Sequence, residues 1–276
     1  MREIRINKGY TQKYVSSNFV SQSAYSKFEL NRIDILASSY MSLLEKVDVS
    51  LAEFYYIMNN YAYSRRQNFI YNFFSMPFNH RERLKETIKE ANQLLLAGED
   101  HLIDEIRLIC EALLLLNKTN NIEQARELVS VVWDRLSKHD SWYLMDIRLI
   151  NSILFIFPIE TAINIADNAL KRIYVYKEFQ DTHKLEINIR INFSLLLIKS
   201  NKFNTALDVI EGTIPLCKKH GAFRETAICY GRKGICLNNL GSKSAEKYTG
   251  KAVGILRVLE EKELEIMLLD EIKNYF

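Results

Sequence analysis

Glycine and proline are scarce in this chain of 276 residues, which contains nine glycines and three prolines. Both residues favour turns and break helices, so their scarcity argues against a sheet with many tight turns. Leu, Ile, Asn, Lys and Glu are abundant, and most of these residues favour helix. A chain of this length can hold two domains and bury a sizeable core. We therefore predict an all-α protein.

The sequence also lacks the usual marks of secretion and of membrane insertion. Its four cysteines form no CxxC motif, and a helical chain of this length needs no disulfides. We therefore expect reduced thiols and a cytoplasmic location. No apolar segment typical of a secretory signal stands at the N-terminus. The longest uncharged, apolar-rich run, 149–159, has 11 residues, which is too short to span a bilayer.

Residue patterns typical of catalysis or metal binding are missing as well. Cys217 and His220 have the spacing of two ligands on one helix, but no second pair accompanies them. Gly231 and Gly234 follow no predicted strand, so they do not form a phosphate-binding loop. No Ser/His/Asp or Cys/His set can be assembled. We therefore expect no enzyme activity, no cofactor and no metal.

The small positive charge of the chain is concentrated near its N-terminus. Residues 1–70 contain nine Lys or Arg and six Asp or Glu, which gives +3. The whole chain also has a formal charge of +3, so the remaining 206 residues balance to zero. A small basic head before a neutral body suits DNA contact by the head.

Residues 11–29 contain the pattern of two short helices joined by a tight turn. We predict helices at 11–17 and 21–29, with the hydroxyls of Thr11 and Ser21 as N-caps. Val15 is expected to face Tyr25 and Phe28 across the pair. The polar side chains left outside can reach base edges and phosphates in a major groove. The candidate DNA-binding residues are Gln12, Ser21, Gln22, Ser23, Ser26 and Lys27.

The surrounding segments complete a small helical domain, which we place at 1–60. Further helices are predicted at 1–8, ended by Gly9, at 36–46, and at 49–60, where Ser50 and Glu53 suggest a capping box. Asn31 is the residue best suited to a left-handed turn after the second helix of the pair. A connecting segment, 61–80, is predicted to contain a helix that ends at Pro77.

The rest of the chain, 81–276, is predicted to form five helix pairs. Alanines recur about every 40 residues at equivalent helix positions, at Ala125, Ala162, Ala206 and Ala245. This pattern predicts a tetratricopeptide-like α-solenoid that acts as sensor and dimerisation domain. The predicted pairs are 81–97 with 102–117, 122–138 with 142–157, 159–177 with 184–199, 203–219 with 223–240, and 244–260 with 263–274.

A short solenoid presents a concave surface that suits an extended peptide or a partner helix. Two matching strings, Ile-Asn-Ser at 150–152 and Ile-Asn-Phe at 191–193, place asparagines on similar helix faces. Asparagine amides can bond both groups of a bound peptide backbone, and an arginine can bind its carboxylate. The alternative is that these asparagines are ordinary polar helix positions. The candidate peptide-binding residues are Arg148, Asn151, Asn188, Asn192 and Arg232.

Residues 3–58 resemble a lambda-repressor-type helix-turn-helix domain, in particular that of the Rgg/GadR/MutR group of Gram-positive regulators. The strings that carry the resemblance are Lys-Gly-Tyr-Thr-Gln at 8–12, Ser-Gln-Ser at 21–23, Ser-Lys-Phe-Glu at 26–29, and Leu-Leu-Glu with Val-Ser-Leu-Ala-Glu-Phe between 43 and 54. The resemblance implies that Gln12 touches backbone phosphate and that Gln22, Ser23 and Lys27 read bases. It also implies short hydrophobic signalling peptides as ligands of the concave face.

Two departures from that family support a second hypothesis. The family usually has Arg-Gly after the Phe-Glu pair, where this chain has Leu30 and Asn31, and the first helix is expected to be shorter by about two turns. The first hypothesis is a homodimeric regulator of double-stranded promoter DNA, controlled by a short peptide and with no membrane partner. The alternative is a protein-interaction scaffold whose degenerate head does not bind DNA.

Overall fold

The computed structural model describes residues 1–76, 81–119 and 121–276. These residues form sixteen α-helices, two short 3-10 helices and no strand, which confirms the predicted all-α class. Contacts divide the chain into two compact units, residues 1–72 and residues 73–276, and each is described by itself.

The first unit begins with five short helices whose starts follow local capping rules. Thr11, Ser21 and Ser50 each accept a hydrogen bond from the backbone amide three residues later, at 3.1 to 3.2 Å. Gly9 and Asn31 take the left-handed backbone conformation expected of them, with φ of 71° and 55°. The helices are α1 (Arg2–Asn7), α2 (Gln12–Ser16), α3 (Gln22–Glu29), α4 (Ala37–Lys46) and α5 (Leu51–Met58).

One hydrophobic cluster holds these helices together. Val15 of α2 and Tyr25 of α3 are both fully buried in it, as their predicted pairing requires, and Phe28 packs against its edge. Removing such side chains from water is the main driving force for so small a unit. The buried members are Val15, Tyr25, Leu43, Leu44, Val47 and Val49.

Helix α6 (Arg65–Phe74) lies in the predicted connecting segment. Phe69 and Phe73 are four residues apart on this helix, and both are buried. The predicted end of the helix at Pro77 lies outside the described residues.

The second unit consists of consecutive antiparallel helices. Each helix contacts the next one along the chain, and α8, α10, α12, α14 and α16 also contact one another in succession. This two-layer stack is the predicted tetratricopeptide-like solenoid. Its helices are α7 (Arg81–Leu95), α8 (His101–Thr119), α9 (Ile122–Leu136), α10 (Leu144–Ile153), α11 (Ile159–Ile173), α12 (Thr182–Lys199), α13 (Phe203–Lys219), α14 (Phe223–Asn239), α15 (Ala245–Val258) and α16 (Lys262–Tyr275).

Two helices end four residues before the point that the sequence pattern predicts. Helix α10 stops at Ile153 and continues as a 3-10 turn, Leu154–Ile156, instead of reaching residue 157. Phe157 is extended because it precedes Pro158, and a residue before proline disfavours the α conformation. Helix α11 likewise stops at Ile173, and a 3-10 turn, Tyr174–Tyr176, follows it.

Small residues allow the helices of the second unit to approach closely. The four repeated alanines are 0–3 % exposed. Opposite Ala245, a β-carbon added to Gly234 of α14 would overlap the methyl group of Thr249 and lie 3.0 Å from the Ala245 carbonyl oxygen. Glycine at this position therefore permits close packing of α14 against α15.

Replacing Gly234 by alanine is expected to destabilise the second unit by about 1–2 kcal/mol, because overpacking outweighs the gain in helix propensity. Gly212 is the matched control, since a β-carbon there meets no atom within 4 Å. Gly212→Ala is expected to stabilise the unit by about 0.5–1 kcal/mol. Urea unfolding followed by circular dichroism measures both changes, and equal effects of the two substitutions would contradict the close-packing role of Gly234.

Candidate nucleic-acid interface and ligand wall

Helix α3 presents a polar face to solvent beside a buried face. At about 100° per residue, Gln22, Ser26, Ser23 and Lys27 fall within one arc of about 140°, and the core residue Tyr25 lies outside that arc. The structure leaves Gln22, Ser23 and Lys27 exposed and Ser26 half-buried. It therefore brings these four candidate DNA-binding residues onto one surface.

Ser21 caps the start of helix α3. Its hydroxyl accepts a hydrogen bond from the Ala24 amide at 3.2 Å and lies 3.2 Å from the Ser23 hydroxyl. The free amides of a helix N-terminus attract anions, and this capped end is exposed to solvent.

The carboxylate of Glu29, on α3, accepts hydrogen bonds from α1 and α2. Arg5 donates to it twice, from Nε to Oε1 at 2.7 Å and from Nη2 to Oε2 at 2.8 Å, and Gln12 Nε2 donates to Oε2 at 2.9 Å. A further bond joins Arg5 Nη1 to the carbonyl oxygen of Tyr10 at 2.9 Å. The Glu29 side chain is only 1 % exposed, so this network forms part of the interior that supports α3.

The network fixes the charge states of its members. Burial opposes ionisation of Glu29, but the hydrogen bonds from Arg5 and Gln12 outweigh it and hold the pKa of this carboxyl below its ordinary value. The bond to Glu29 also raises the pKa of the Arg5 guanidinium. Burial and the Glu29 carboxylate raise the pKa of the Tyr25 phenol. At neutral pH the support of α3 is thus a closed ion pair next to an uncharged tyrosine.

Gln12, the expected phosphate contact, is half-buried within this network. One of its amide hydrogens is used by Glu29. A side-chain amide has two such hydrogens, so one donor is left for a phosphate oxygen.

In the second unit, the two asparagines of the matching strings meet. Asn192 Nδ2 of α12 donates to Asn151 Oδ1 of α10 at 3.0 Å, across 41 residues of sequence. The pair leaves the amide nitrogen of Asn151 and the amide oxygen of Asn192 for a ligand. They are one donor and one acceptor, which match the C=O and the N–H of a peptide backbone. Asn188 lies one turn before Asn192 on α12 and is exposed.

Arg148 lies one turn before Asn151 on α10 and is half-buried. Its guanidinium carbon is 5.6 Å from the centre of the Phe74 ring. Burial lowers the pKa of Arg148, and the nearby Asp181 carboxylate opposes this shift. Among the described residues no carboxylate forms a salt bridge with Arg148, so this cation remains available to an anion.

Arg232 is placed differently from the other candidates of this group. It is 6 % exposed, and its guanidinium binds both carboxylate oxygens of Glu271 on α16, at 2.6 and 3.0 Å. It also donates to the carbonyl oxygen of Ile191 and to the hydroxyl of Ser194, at 2.5 and 3.4 Å. Its donors join α12, α14 and α16, which indicates a packing role for Arg232. The other four candidates, Arg148, Asn151, Asn188 and Asn192, form the candidate ligand wall, called the ligand wall below.

Sequence reasoning missed Glu29, Phe74 and Asp181 as parts of these sites. Asp181 has a left-handed backbone, with φ of 59°, directly before α12. An Asp in that position is a local turn signal, but its proximity to Arg148 depends on how α10 and α12 pack.

The described residues contain neither a metal-binding cluster nor a membrane-spanning helix. No group of three or more His, Cys, Asp or Glu within residues 1–76, 81–119 and 121–276 is placed to hold a metal ion. No helix in those ranges is long and apolar enough to cross a membrane.

Comparisons with known proteins agree with this architecture. Residues 84–268 match the family described as HTH-type transcriptional regulator Rgg, C-terminal domain. The fold is similar to that of PlcR from Bacillus thuringiensis, solved in complex with the peptide PapR7 and DNA, with a TM-score of 0.72, 20 % identity, and coverage of 97 % of this chain and 96 % of that one.

Two further solved structures share the fold along nearly their whole length. A putative transcriptional regulator from Listeria monocytogenes has a TM-score of 0.77 and 20 % identity, covering 99 % of this chain and 95 % of that one. The SHP pheromone receptor Rgg2 from Streptococcus dysgalactiae has a TM-score of 0.74 and 16 % identity, covering 100 % and 98 %.

Proposed function

Because this chain belongs to the Rgg family of HTH-type transcriptional regulators, we propose that it regulates transcription by binding double-stranded promoter DNA under the control of a short peptide. DNA binding is assigned to residues 1–60 and peptide binding to residues 81–276, with 61–80 as the connecting segment. The observation that carries the proposal is the exposed polar arc of α3, supported from inside by the Glu29 network.

The polar arc has the chemistry of a major-groove reader. Glutamine can form two hydrogen bonds with an adenine edge, and serine can bond either type of base edge. Lys27 supplies a positive charge for phosphate, and the capped helix start favours anions. The DNA-binding residues of the proposal are Gln12, Ser21, Gln22, Ser23, Ser26 and Lys27.

Gln22→Ala is expected to weaken binding to a preferred DNA site by about 1–3 kcal/mol, because a base-edge contact is lost. Affinity for unrelated DNA should change little, since phosphate contacts remain. The preferred site is first selected from a randomised pool of duplexes, and fluorescence anisotropy at low salt then measures both affinities. Lys27→Ala is expected to weaken binding to all duplexes and to reduce the salt dependence.

Gln124→Ala is the control for this prediction, since Gln124 is exposed near the start of α9 in the second unit. It should leave both affinities unchanged. If the wild-type protein binds no duplex at low salt, the regulator proposal fails and the alternative of an interaction scaffold gains support.

The ligand wall suits a short peptide bound in extended form. Asn151 and Asn192 offer one donor and one acceptor to a backbone, whatever its side chains are. Arg148 offers a desolvated positive charge one turn away, which suits a peptide carboxylate. PlcR was solved with a peptide and DNA together, which supports a peptide as the controlling ligand here.

Replacing both Asn151 and Asn192 by alanine is expected to weaken peptide binding by about tenfold or more, because two backbone hydrogen bonds are lost. Stability should change little, since both partners of their mutual bond are removed together. Peptides retained by the protein from its native host are identified by mass spectrometry, and calorimetry with a synthetic copy measures the affinity. The control is Asn164→Ala with Asn168→Ala, two exposed positions on α11. Equal affinity of the wild type and the Asn151/Asn192 variant for the peptide would exclude the ligand wall as the peptide-binding site.

The proposal includes a homodimer in the cytoplasm. Two copies would place their α3 helices about one duplex turn apart on a partly palindromic site. Sedimentation of the protein with and without the selected duplex tests this stoichiometry, and one chain per duplex at saturation would contradict it.

A further inference from the structure

A groove lies between α14 and α15, away from the ligand wall. Its lining is mostly apolar, and its volume is about 760 Å³, which is within the range of small-molecule sites. Tyr230, one of its lining residues, is two residues before Arg232, so the two side chains leave α14 on opposite sides. The lining residues are Phe223, Tyr230, Lys251, Gly254, Ile255, Val258 and Leu259.

The apolar walls of the groove are exposed to solvent. Phe223 is 59 % exposed, Val258 84 % and Leu259 37 %. Large apolar side chains clustered in one concave area mark a binding surface more often than isolated exposed ones do. At Gly254 an added β-carbon would meet no atom within 4 Å, so the groove also remains open along α15.

Two lysines lie beside Tyr230 of the groove. The ammonium groups of Lys218 and Lys251 lie 5.7 and 5.6 Å from the centre of the Tyr230 ring. Lys251 also lies 5.6 Å from the centre of the neighbouring Tyr248 ring. These aromatic contacts hold the two cations next to the apolar lining.

The two cations have no carboxylate partner within the described part of the chain. Their neighbour Lys233 differs, because it forms a salt bridge with Glu211 at 2.6 Å. An ammonium over an aromatic ring keeps N–H donors free, so Lys218 and Lys251 can both bind an anion.

We propose that this groove binds an amphipathic carboxylate of the fatty-acid type. The carboxylate would lie between Lys218 and Lys251, and the hydrocarbon chain would lie along Ile255, Val258 and Leu259. The charge pattern favours this occupant: a carboxylate gains a charge interaction with the two exposed lysines, an uncharged apolar ligand gains none, and a cationic one would be repelled.

Such a ligand would contact α13, α14 and α15 at once. It would therefore raise the stability of the last repeats with the logarithm of its concentration once this exceeds Kd, since a ligand that binds only the folded state shifts the unfolding equilibrium. This site is separate from the ligand wall, so the inference does not depend on peptide binding.

The test uses the full-length protein and decanoate, kept below the concentration at which it forms micelles. Calorimetry and thermal unfolding are run with decanoate, its methyl ester and decyltrimethylammonium. We expect saturable binding and a higher Tm with decanoate alone. Lys218→Met with Lys251→Met should weaken decanoate binding by about tenfold or more. Val258→Asp, at an exposed position, should do the same by placing a carboxylate in the groove.

Lys247→Met is the matched control, because Lys247 is an exposed lysine of α15 that does not line the groove. It should bind decanoate like the wild type. The proposal is overturned if decanoate does not saturate, if the methyl ester binds equally well, or if the double lysine variant keeps wild-type affinity. Binding of an acidic peptide at this groove without binding of decanoate would overturn it as well.

Discussion

Replacing Glu29 by glutamine is expected to destabilise the first unit by about 3–5 kcal/mol and to abolish DNA binding with it. The substitution keeps the size of the side chain but leaves Arg5, which is 12 % exposed, as a nearly buried charge without a counterion. In either orientation the new NH2 group would point donors at Arg5, and in one of them at Gln12 as well, and both of these residues are donors themselves. Small domains have total stabilities of about 5–15 kcal/mol, so this loss is a large fraction.

Lowering the pH is expected to weaken the same hydrogen-bond network around Glu29. The folded-state pKa of Glu29 is below its unfolded value, so its ionisation stabilises the folded unit above that value. As the pH falls from the unfolded value through the lower folded pKa, the carboxylate takes up a proton and this contribution is lost. The wild type should therefore lose stability in the first unit in acid, while Glu29→Gln should show a smaller loss over the same interval.

The two units can be followed separately in this experiment. Both tryptophans, Trp133 and Trp142, lie in the second unit, so their fluorescence reports on that unit alone. Hydrogen exchange read by mass spectrometry reports on peptides from residues 1–60. Glu53→Gln is the matched control, because Glu53 is exposed on α5, and its effect should stay within about 0.5 kcal/mol. Equal protection of the first unit in Glu29→Gln and Glu53→Gln would show that the ion pair contributes no net stability.

The parts of the first unit that sequence could predict depend on local spacing. The caps at Thr11 and Ser21 and the polar arc of α3 follow from residues within one or two turns of one another. The function of Glu29 does not, because its main partner, Arg5, is 24 residues away on another helix. Glu29 lies at the end of a polar stretch, where a solvent-exposed acid is equally consistent with the pattern.

In the second unit, too, the sequence predicted the helix positions that repeat along the chain but not the contacts made by distant residues. The repeated alanines and the matching Ile-Asn strings identified equivalent helix positions, and the bond between Asn151 and Asn192 agrees with that equivalence. The same equivalence suggested a peptide-binding role for Arg232. It could not include Glu271, because that partner comes from the last helix, 39 residues later. A comparison of repeats predicts the contacts that recur between neighbouring repeats. A terminal helix can add a contact that the earlier repeats lack.

Arg232→Met is expected to destabilise the last repeats by about 3–5 kcal/mol. The change removes the bonds to the Ile191 carbonyl and the Ser194 hydroxyl, and it leaves the Glu271 carboxylate, whose side chain is 19 % exposed, without its cation. Helix α16 should lose protection first, since Arg232 joins it to α14. Hydrogen exchange of peptides from residues 226–276 measures the effect, and Trp fluorescence follows the earlier repeats.

A double variant separates the cost of an unpaired charge from the value of the pair itself. Arg232→Met combined with Glu271→Met should recover part of the stability lost in the single variant, because no buried charge is left unpaired. Arg257→Met is the matched control, since Arg257 of α15 also forms an Arg–Glu pair with α16, through Glu265, but its side chain is 68 % exposed. Its cost should be about 0–1 kcal/mol. If Arg257→Met and Arg232→Met cost the same, burial does not give the Arg232–Glu271 pair its strength, and the packing role assigned to Arg232 is wrong.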